Sequence, residues 1–139
     1  REEISSSIIL ITHDIAVIAE MSDRIAVMYG GYFMEQATAI DLFETPSHPY
    51  TLGLKNAFPS IRRKGQELIS IPGSPPTLIG ECKGCPFWER CPFSVEHCSN
   101  ETPAIEKLAQ YHEVRCFRHK DTPQLRELAS KKGTWLSLD

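Results

Sequence analysis

Five cysteines carry the densest chemistry in this 139-residue chain: Cys82, Cys85, Cys91, Cys98 and Cys116 all fall between positions 82 and 116. Cys82 and Cys85 stand in a Cys-x-x-Cys pair, which in a reducing compartment favours metal ligation over a disulfide. Cys85 and Cys91 are each followed by proline, which removes an amide donor and stiffens the loop. Phe87, Trp88, Phe93 and Phe117 supply apolar cover that would limit solvent access to a metal centre. Three readings fit. An iron–sulfur cluster needs four thiolates converging on one loop-rich site. Zinc also takes four cysteines; Cys82-x-x-Cys85 resembles a zinc knuckle, and Cys116-x-x-His119 could stand in for the missing second pair. The third reading is buried free thiols. Spacing favours a metal in general and does not choose between iron and zinc.

The second chemical feature is Thr12-His13-Asp14, which ends the apolar run Ile8 to Ile11. Polar groups at the carboxyl end of a buried strand are where open α/β sheets place ligand-binding side chains. An imidazole there can donate to a phosphate oxygen or an attacking water, or be satisfied by a backbone carbonyl. The elements that must hold it follow from pattern. Ile8 to Ile11 reads as a strand. Ile15, Ile18 and Ala19 have helical spacing, with Asp14 as N-cap and Asp23-Arg24 as the exit. Gly30-Gly31 allows a two-residue turn, so Arg24 to Tyr29 should pair with Tyr32 to Gln36. Thr38 to Glu44 reads as a short helix.

Further on, Ser47 is placed to cap a helix with Pro49 in its first turn and Pro59 as its stop. Arg62-Arg63-Lys64 reads as a solvated loop, and Ile69 to Pro76 as a rigid, extended connector. Ala104 to Gln110 is expected to be a short helix and Glu113 to Phe117 a strand delivering Cys116. A final amphipathic helix starts at Thr122-Pro123, carries Leu125, Leu128 and Ala129 on one face and ends near Gly133. Trp135, Leu136 and Leu138 are expected to dock on the body or on a neighbouring subunit.

The totals bound the class. The net charge of -3 gives no electrostatic case for nucleic acid as the main partner, a zinc-knuckle binder included. The longest wholly apolar stretch is about five residues, against the roughly 18 needed to span a bilayer. The chain starts at Arg1, almost inside a strand, and reads as a piece whose N-terminal part is missing.

The run ILITHDIAVIAEMSDRIAVMYGGYFME closely resembles the end of the ATP-binding subunits of ABC transporters, from the switch-histidine loop to the final hairpin. In that family the histidine contacts the γ-phosphate of ATP·Mg2+ and helps position hydrolytic water, a role the resemblance carries to His13. The family's P-loop, signature motif and Walker B strand have no counterpart here, so this piece alone is expected neither to bind ATP tightly nor to hydrolyse it. Glu35-Gln36-Ala37 departs from the family, which commonly has glycine after the glutamate; the departure is expected to affect a loop and not the chemistry. HPYTLGLKNAFPS, ISIPGSPP and GCPFWERCPF look like the C-terminal extension of oligopeptide and dipeptide importer ATPases, named for its His-Pro-Tyr, here His48-Pro49-Tyr50. This second resemblance runs from about Ser47 to His119, and it treats His48 as structural. It implies that Cys85, Cys91, Cys98 and Cys116 hold a four-iron four-sulfur cluster, with Cys82 extra to the pattern.

The expected architecture is thus α/β: C-terminal strands and helices of an ABC ATPase lobe at residues 1–46, then a small cysteine-rich, loop-rich extension at 47–139. The intact protein is expected to hydrolyse ATP for peptide import at the cytoplasmic face of the membrane. Its partners would be membrane-spanning permease subunits, a partner ATPase and an extracytoplasmic peptide-binding protein. Open strand edges imply that the piece self-associates. The rival reading is a free-standing metal-binding module with no nucleotide role.

Overall fold

Two consecutive glycines set the first turn of the fold. Gly30 and Gly31 have φ of 57° and 82°, a region closed to most side chains, and they join β1 (Arg24–Tyr29) to β2 (Tyr32–Thr38) in the expected antiparallel hairpin. The computed structural model of the chain describes residues 6–57, 68–75, 77, 80 and 82–136. Arg62-Arg63-Lys64, Pro59 and Leu138 lie outside the described residues.

Ahead of the hairpin, α1 (Ile15–Met21) is capped by Asp14, whose Oδ1 accepts from the Val17 amide at 3.3 Å. After it, α2 (Ala39–Glu44) is capped by Thr38 through the Asp41 amide. Ile25, Ala37 and Leu42 form a small core between hairpin and α2, with Ile18 of α1 against it.

The hairpin carries a bulge between Val27 and Met28, where pairing moves from Val27–Glu35 to Met28–Phe33. Met34 is the extra residue. Its side chain is buried, and its carbonyl accepts from the Arg115 amide at 2.8 Å. Beside it, β4 (His112–Val114) pairs antiparallel with β2, and β3 (Glu106–Ala109) closes the sheet in the order β1-β2-β4-β3. Strands from both sides of residue 46 thus share one sheet.

Four further α-helices, α3 (Pro49–Ala57), α4 (Glu96–Asn100), α5 (Thr122–Ala129) and α6 (Lys132–Leu136), and two 3-10 turns, Trp88–Arg90 and His119–Asp121, complete the described fold. The main core collects Tyr29 and Met34 from the hairpin, Leu52 from α3, Phe87 and Phe93 from the cysteine loop, and Leu125 and Trp135 from the C-terminal helices. Trp135 docks on the body as expected, its indole N–H donating to the Ala129 carbonyl at 2.9 Å, while Leu136 is exposed.

Several expectations are corrected. Ile8 to Ile11 forms no strand: no described strand takes up its backbone groups, and Ile9 and Ile11 are 90% and 93% exposed. Ala104 to Gln110 is not a helix, because residues 106–109 supply backbone partners to β4 as strand β3; that pairing overrides helix-compatible residue types. The strand expected at Glu113 to Phe117 is shifted to His112–Val114 and ends before Cys116. The last helix stops at Ala129, and a separate one contains Gly133. Glu35-Gln36-Ala37 lies within β2, not in a loop.

Candidate functional site

The cysteines sit on a chain of tight turns. The Trp88 amide donates to the Cys85 carbonyl at 3.0 Å, the Cys91 amide to Trp88 at 3.3 Å, and the Ser94 amide to Cys91 at 3.1 Å. The Cys85 amide reaches across to the Cys98 carbonyl at 2.8 Å and holds α4 against the loop. Only glycine fits at Gly84: a Cβ there would lie 2.5 Å from the Cys98 carbonyl oxygen and 2.7 Å from that of Ser99. Cys85, Cys91 and Cys98 are buried in the main core, Cys116 is half-buried just past β4, and half-buried Cys82 donates its S–H to the Gly84 carbonyl at 3.2 Å.

The Cys98 sulfur accepts from the Val95 amide at 3.5 Å, and the backbone amides of Phe87, Phe93 and Arg118 favour the thiolate at Cys85, Cys91 and Cys116. In the two Cys-Pro-Phe segments the intervening proline has no amide, so the phenylalanine amide is the nearest downstream donor. Donors aimed at sulfur favour thiolate, the ligand form, and tune a bound iron centre. Without a bound cation the balance is reversed by burial, which pushes the Cys85 thiol up to about 11, Cys116 up to about 12, and Cys91 up as well. Neighbouring thiols add to this: Cys85 feels Cys98 and Cys82, Cys91 feels Cys116, Cys85 and Cys98, and Cys116 feels Cys85 and Cys98. The four expected ligands are therefore brought into one electrostatic neighbourhood.

They do not close on a single point. Among the described residues, no three His, Cys, Asp or Glu side chains are grouped as the ligands of one metal ion. Around one zinc, with Zn–S of about 2.3 Å, sulfurs stand only about 3.8 Å apart. Among the described residues a closed four-thiol shell is thus not formed. His119 does not complete a zinc set through Nδ1 either, since that nitrogen donates to the Cys116 carbonyl at 2.9 Å.

A frame of buried polar residues, missed at the sequence level, supports the loop. His48 caps α3 in place of Ser47: its Nδ1 accepts from the Tyr50 amide at 2.9 Å, which puts the ring proton on Nε2, and the ring also bonds the Arg115 backbone. Ser47 instead donates its amide to Glu35 Oε1 at 2.7 Å, and the His48 amide goes to Oε2 at 2.9 Å. His112 Nε2 meets Oε1 at 2.7 Å, so one buried carboxylate takes three donors. Burial, with Glu35 and the Arg115 backbone opposing it, lowers His48 to about 4, so the ring is neutral near pH 7. Phe87 of the loop inserts beside this frame, 5.2 Å from the Tyr29 ring and 5.1 Å from that of Tyr50. The only advance sign was the burial-prone His-Pro-Tyr string itself; nothing flagged Glu35 or His112 as its partners.

His13 belongs to a different neighbourhood. It is exposed in the turn before α1, between Thr12, whose Oγ1 accepts from the Asp14 amide at 3.0 Å, and the capping Asp14. α1 packs on α2 and the small core. No helix among the described residues is long and apolar enough to cross a membrane.

Residues 34–98 match the family model for the C-terminal region of oligopeptide/dipeptide transporters. Just under half of the chain is therefore similar to this C-terminal region. The matched stretch runs from the bulge residue Met34 to the third buried cysteine, Cys98, and includes Glu35 and His48-Pro49-Tyr50. The oligopeptide transport ATP-binding protein OppD of Salmonella typhimurium is 43% identical over 118 residues, 85% of this chain and 35% of its own length. The dipeptide transport ATP-binding protein DppD of Bacillus subtilis is 43% identical over 111 residues, 80% of this chain and 33% of its own. OppD of Haemophilus influenzae is 45% identical over 98 residues, 70% of this chain and 30% of its own. The chain spans about a third of the length of these transporter relatives.

Proposed function

We propose that the chain is the C-terminal part of the ATP-hydrolysing subunit of an ABC importer for oligopeptides or dipeptides. The observation that carries this reading is the family match over residues 34–98, joined to relatives whose names are oligopeptide or dipeptide transport ATP-binding proteins. In the longer protein, residues 1–46 would close the nucleotide-binding domain and 47–139 form its extension. The subunit would sit peripherally on the cytoplasmic face of the membrane, with permease subunits, a partner ATPase and an extracytoplasmic peptide-binding protein.

His13 would be the γ-phosphate contact. Its place in an exposed turn, steadied on one side by the Thr12–Asp14 and Asp14–Val17 bonds, suits a group that meets ATP·Mg2+ held by other parts of the protein. The exposed run Ile8 to Ile11 would be covered there too; in the separate piece it and the outer strands β1 and β3 favour self-association, which sedimentation at several concentrations checks. The deciding experiment is ATP turnover by the full-length protein. His13→Ala should lower kcat by about a hundredfold or more while nucleotide binding persists; unchanged turnover would remove the role.

For the cysteines we propose a four-iron four-sulfur cluster, as the resemblance to the importer ATPases implies; each thiolate of such a cluster binds a different iron. Cys85, Cys91, Cys98 and Cys116 would hold it, and it would supply a structural staple or a one-electron redox centre. Phe87 and Phe93, buried beside these cysteines, would shield it.

A further inference from the structure

The guanidinium of Arg90 gathers three successive carbonyls. Nε donates to Pro72 at 2.9 Å, and Nη2 donates to Ile71 at 3.2 Å and to Gly73 at 2.8 Å. Nη1 donates to the Tyr29 hydroxyl at 3.2 Å, with the guanidinium carbon 5.9 Å from the centre of that ring. Three carbonyls can turn inward on one side chain because Pro72 fixes its φ and Gly73 sits at φ 71°. Arg90 itself has little freedom. It ends the turn Trp88–Arg90, whose first amide bonds Cys85 and after which the Cys91 amide bonds Trp88. Its backbone is therefore fixed by the same turn that spaces Cys85 from Cys91.

The strap 69–73 has few other fastenings. Ile69 is buried and its amide donates to Asn56 at 3.1 Å; Ile71 lies against Gly53 and Trp135, leaving no room for a Cβ on Gly53. Beyond Ile71, the polar attachments among the described residues pass through Arg90. We propose that Arg90 is a clasp that makes docking of the strap conditional on the Cys85–Cys91 turn, so that opening this turn releases residues 71–75. Arginine suits this because its planar fork serves several acceptors at once, whereas lysine offers a single point. The clasp gives the cysteine loop a mechanical output: a change at the thiols slackens residues 71–75. The fastening stands on the hydrogen bonds alone; only the trigger rests on the cysteine-site reading above.

Hydrogen exchange on the full-length protein tests it, read in a peptide that carries the Ile69 amide in its interior, the strap amide bonded to Asn56, with α5 as an internal measure of folding. Arg90→Gln should speed exchange in the strap about tenfold and leave α5 unchanged, with R90K in between. Cys91→Ser, and independently C85A, should speed the same peptide, whereas C82S, outside the turn, should not. A strap indifferent to both Arg90 variants would overturn the clasp, and a strap that answers to Arg90 but to neither Cys85 nor Cys91 would overturn the coupling. Iron and sulfide assayed on the same samples separate the two readings. A parent protein without iron whose strap still responds to Cys91→Ser keeps the clasp and loses the cluster.

Discussion

Glu35 and His112, 77 residues apart in sequence, meet in the interior with 2.7 Å between Oε1 and Nε2. The carboxylate also takes the Ser47 and His48 amides, so it joins β2, β4 and the start of α3 at one point. Glu35→Ala would strand two buried amides and an imidazole and should cost about 3–5 kcal/mol in urea unfolding. E35Q, which keeps one acceptor oxygen, should cost about 1–3 kcal/mol. An alanine variant within about 1 kcal/mol of the parent would show that the network is incidental.

The buried neutral ring of His48 makes stability depend on pH. Unfolded, it takes up a proton near pH 6.5; folded, only near pH 4. Between those values the unfolded chain binds more protons, so stability falls as pH drops through that window and levels off below it. The gap corresponds to about 3 kcal/mol at its full extent. H48N retains an acceptor for the Tyr50 amide and should lose most of this slope. Equal slopes in parent and variant, measured by urea unfolding from pH 7 to 4, would refute the assignment.

Gly84 is the tightest backbone passage at the cysteines. Its missing Cβ leaves space for the Cys98 and Ser99 carbonyls. Gly84→Ala must push α4 away from Cys85, breaking the Cys85–Cys98 bond, and should destabilise by about 1–3 kcal/mol. It should also raise the reaction rate of the buried thiols with a thiol reagent under native conditions. Unchanged thiol reactivity would mean that the loop yields elsewhere.

Anaerobically purified protein should be brown and contain iron and acid-labile sulfide, both lost in C85S, C91S, C98S and C116S and kept in C82S. Zinc in place of iron, or loss in C82S, would require ligands other than these four. Metal content and the visible spectrum decide it.

Much of the first half was legible because its signals are local. Asp14 as a cap, the helical spacing of Ile15 and Ile18, and Gly30-Gly31 between apolar runs each act within a few residues. The errors arose where a distant partner decides. Glu106 to Ala109 is composed of residues that tolerate a helix, and becomes a strand because β4 offers an edge. Ser47 is a good cap residue by type, yet the buried carboxylate of Glu35 claims its amide and His48 caps instead. Ile8 to Ile11 has strand composition, but composition supplies no neighbour. At the cysteines, spacing marked a metal site in general, and only the family resemblance singled out Cys85, Cys91, Cys98 and Cys116. Neither could reveal how the loop closes, because that depends on how Gly84, α4 and the chain after β4 approach one another.

The pairing of β2 with β4 also sets an order of events during synthesis. The β1–β2 hairpin is local and can form within microseconds once made, on the order of 1–10 μs. Its second edge, the pocket for Tyr29 and the partner of Glu35 all come from residues made much later. Until His112 to Val114 leave the ribosome, the nascent chain holds a half-built sheet with a wet carboxylate at its centre and an unpaired edge. That interval, rather than the finished fold, is where this polypeptide is most exposed to mispairing and to chaperones.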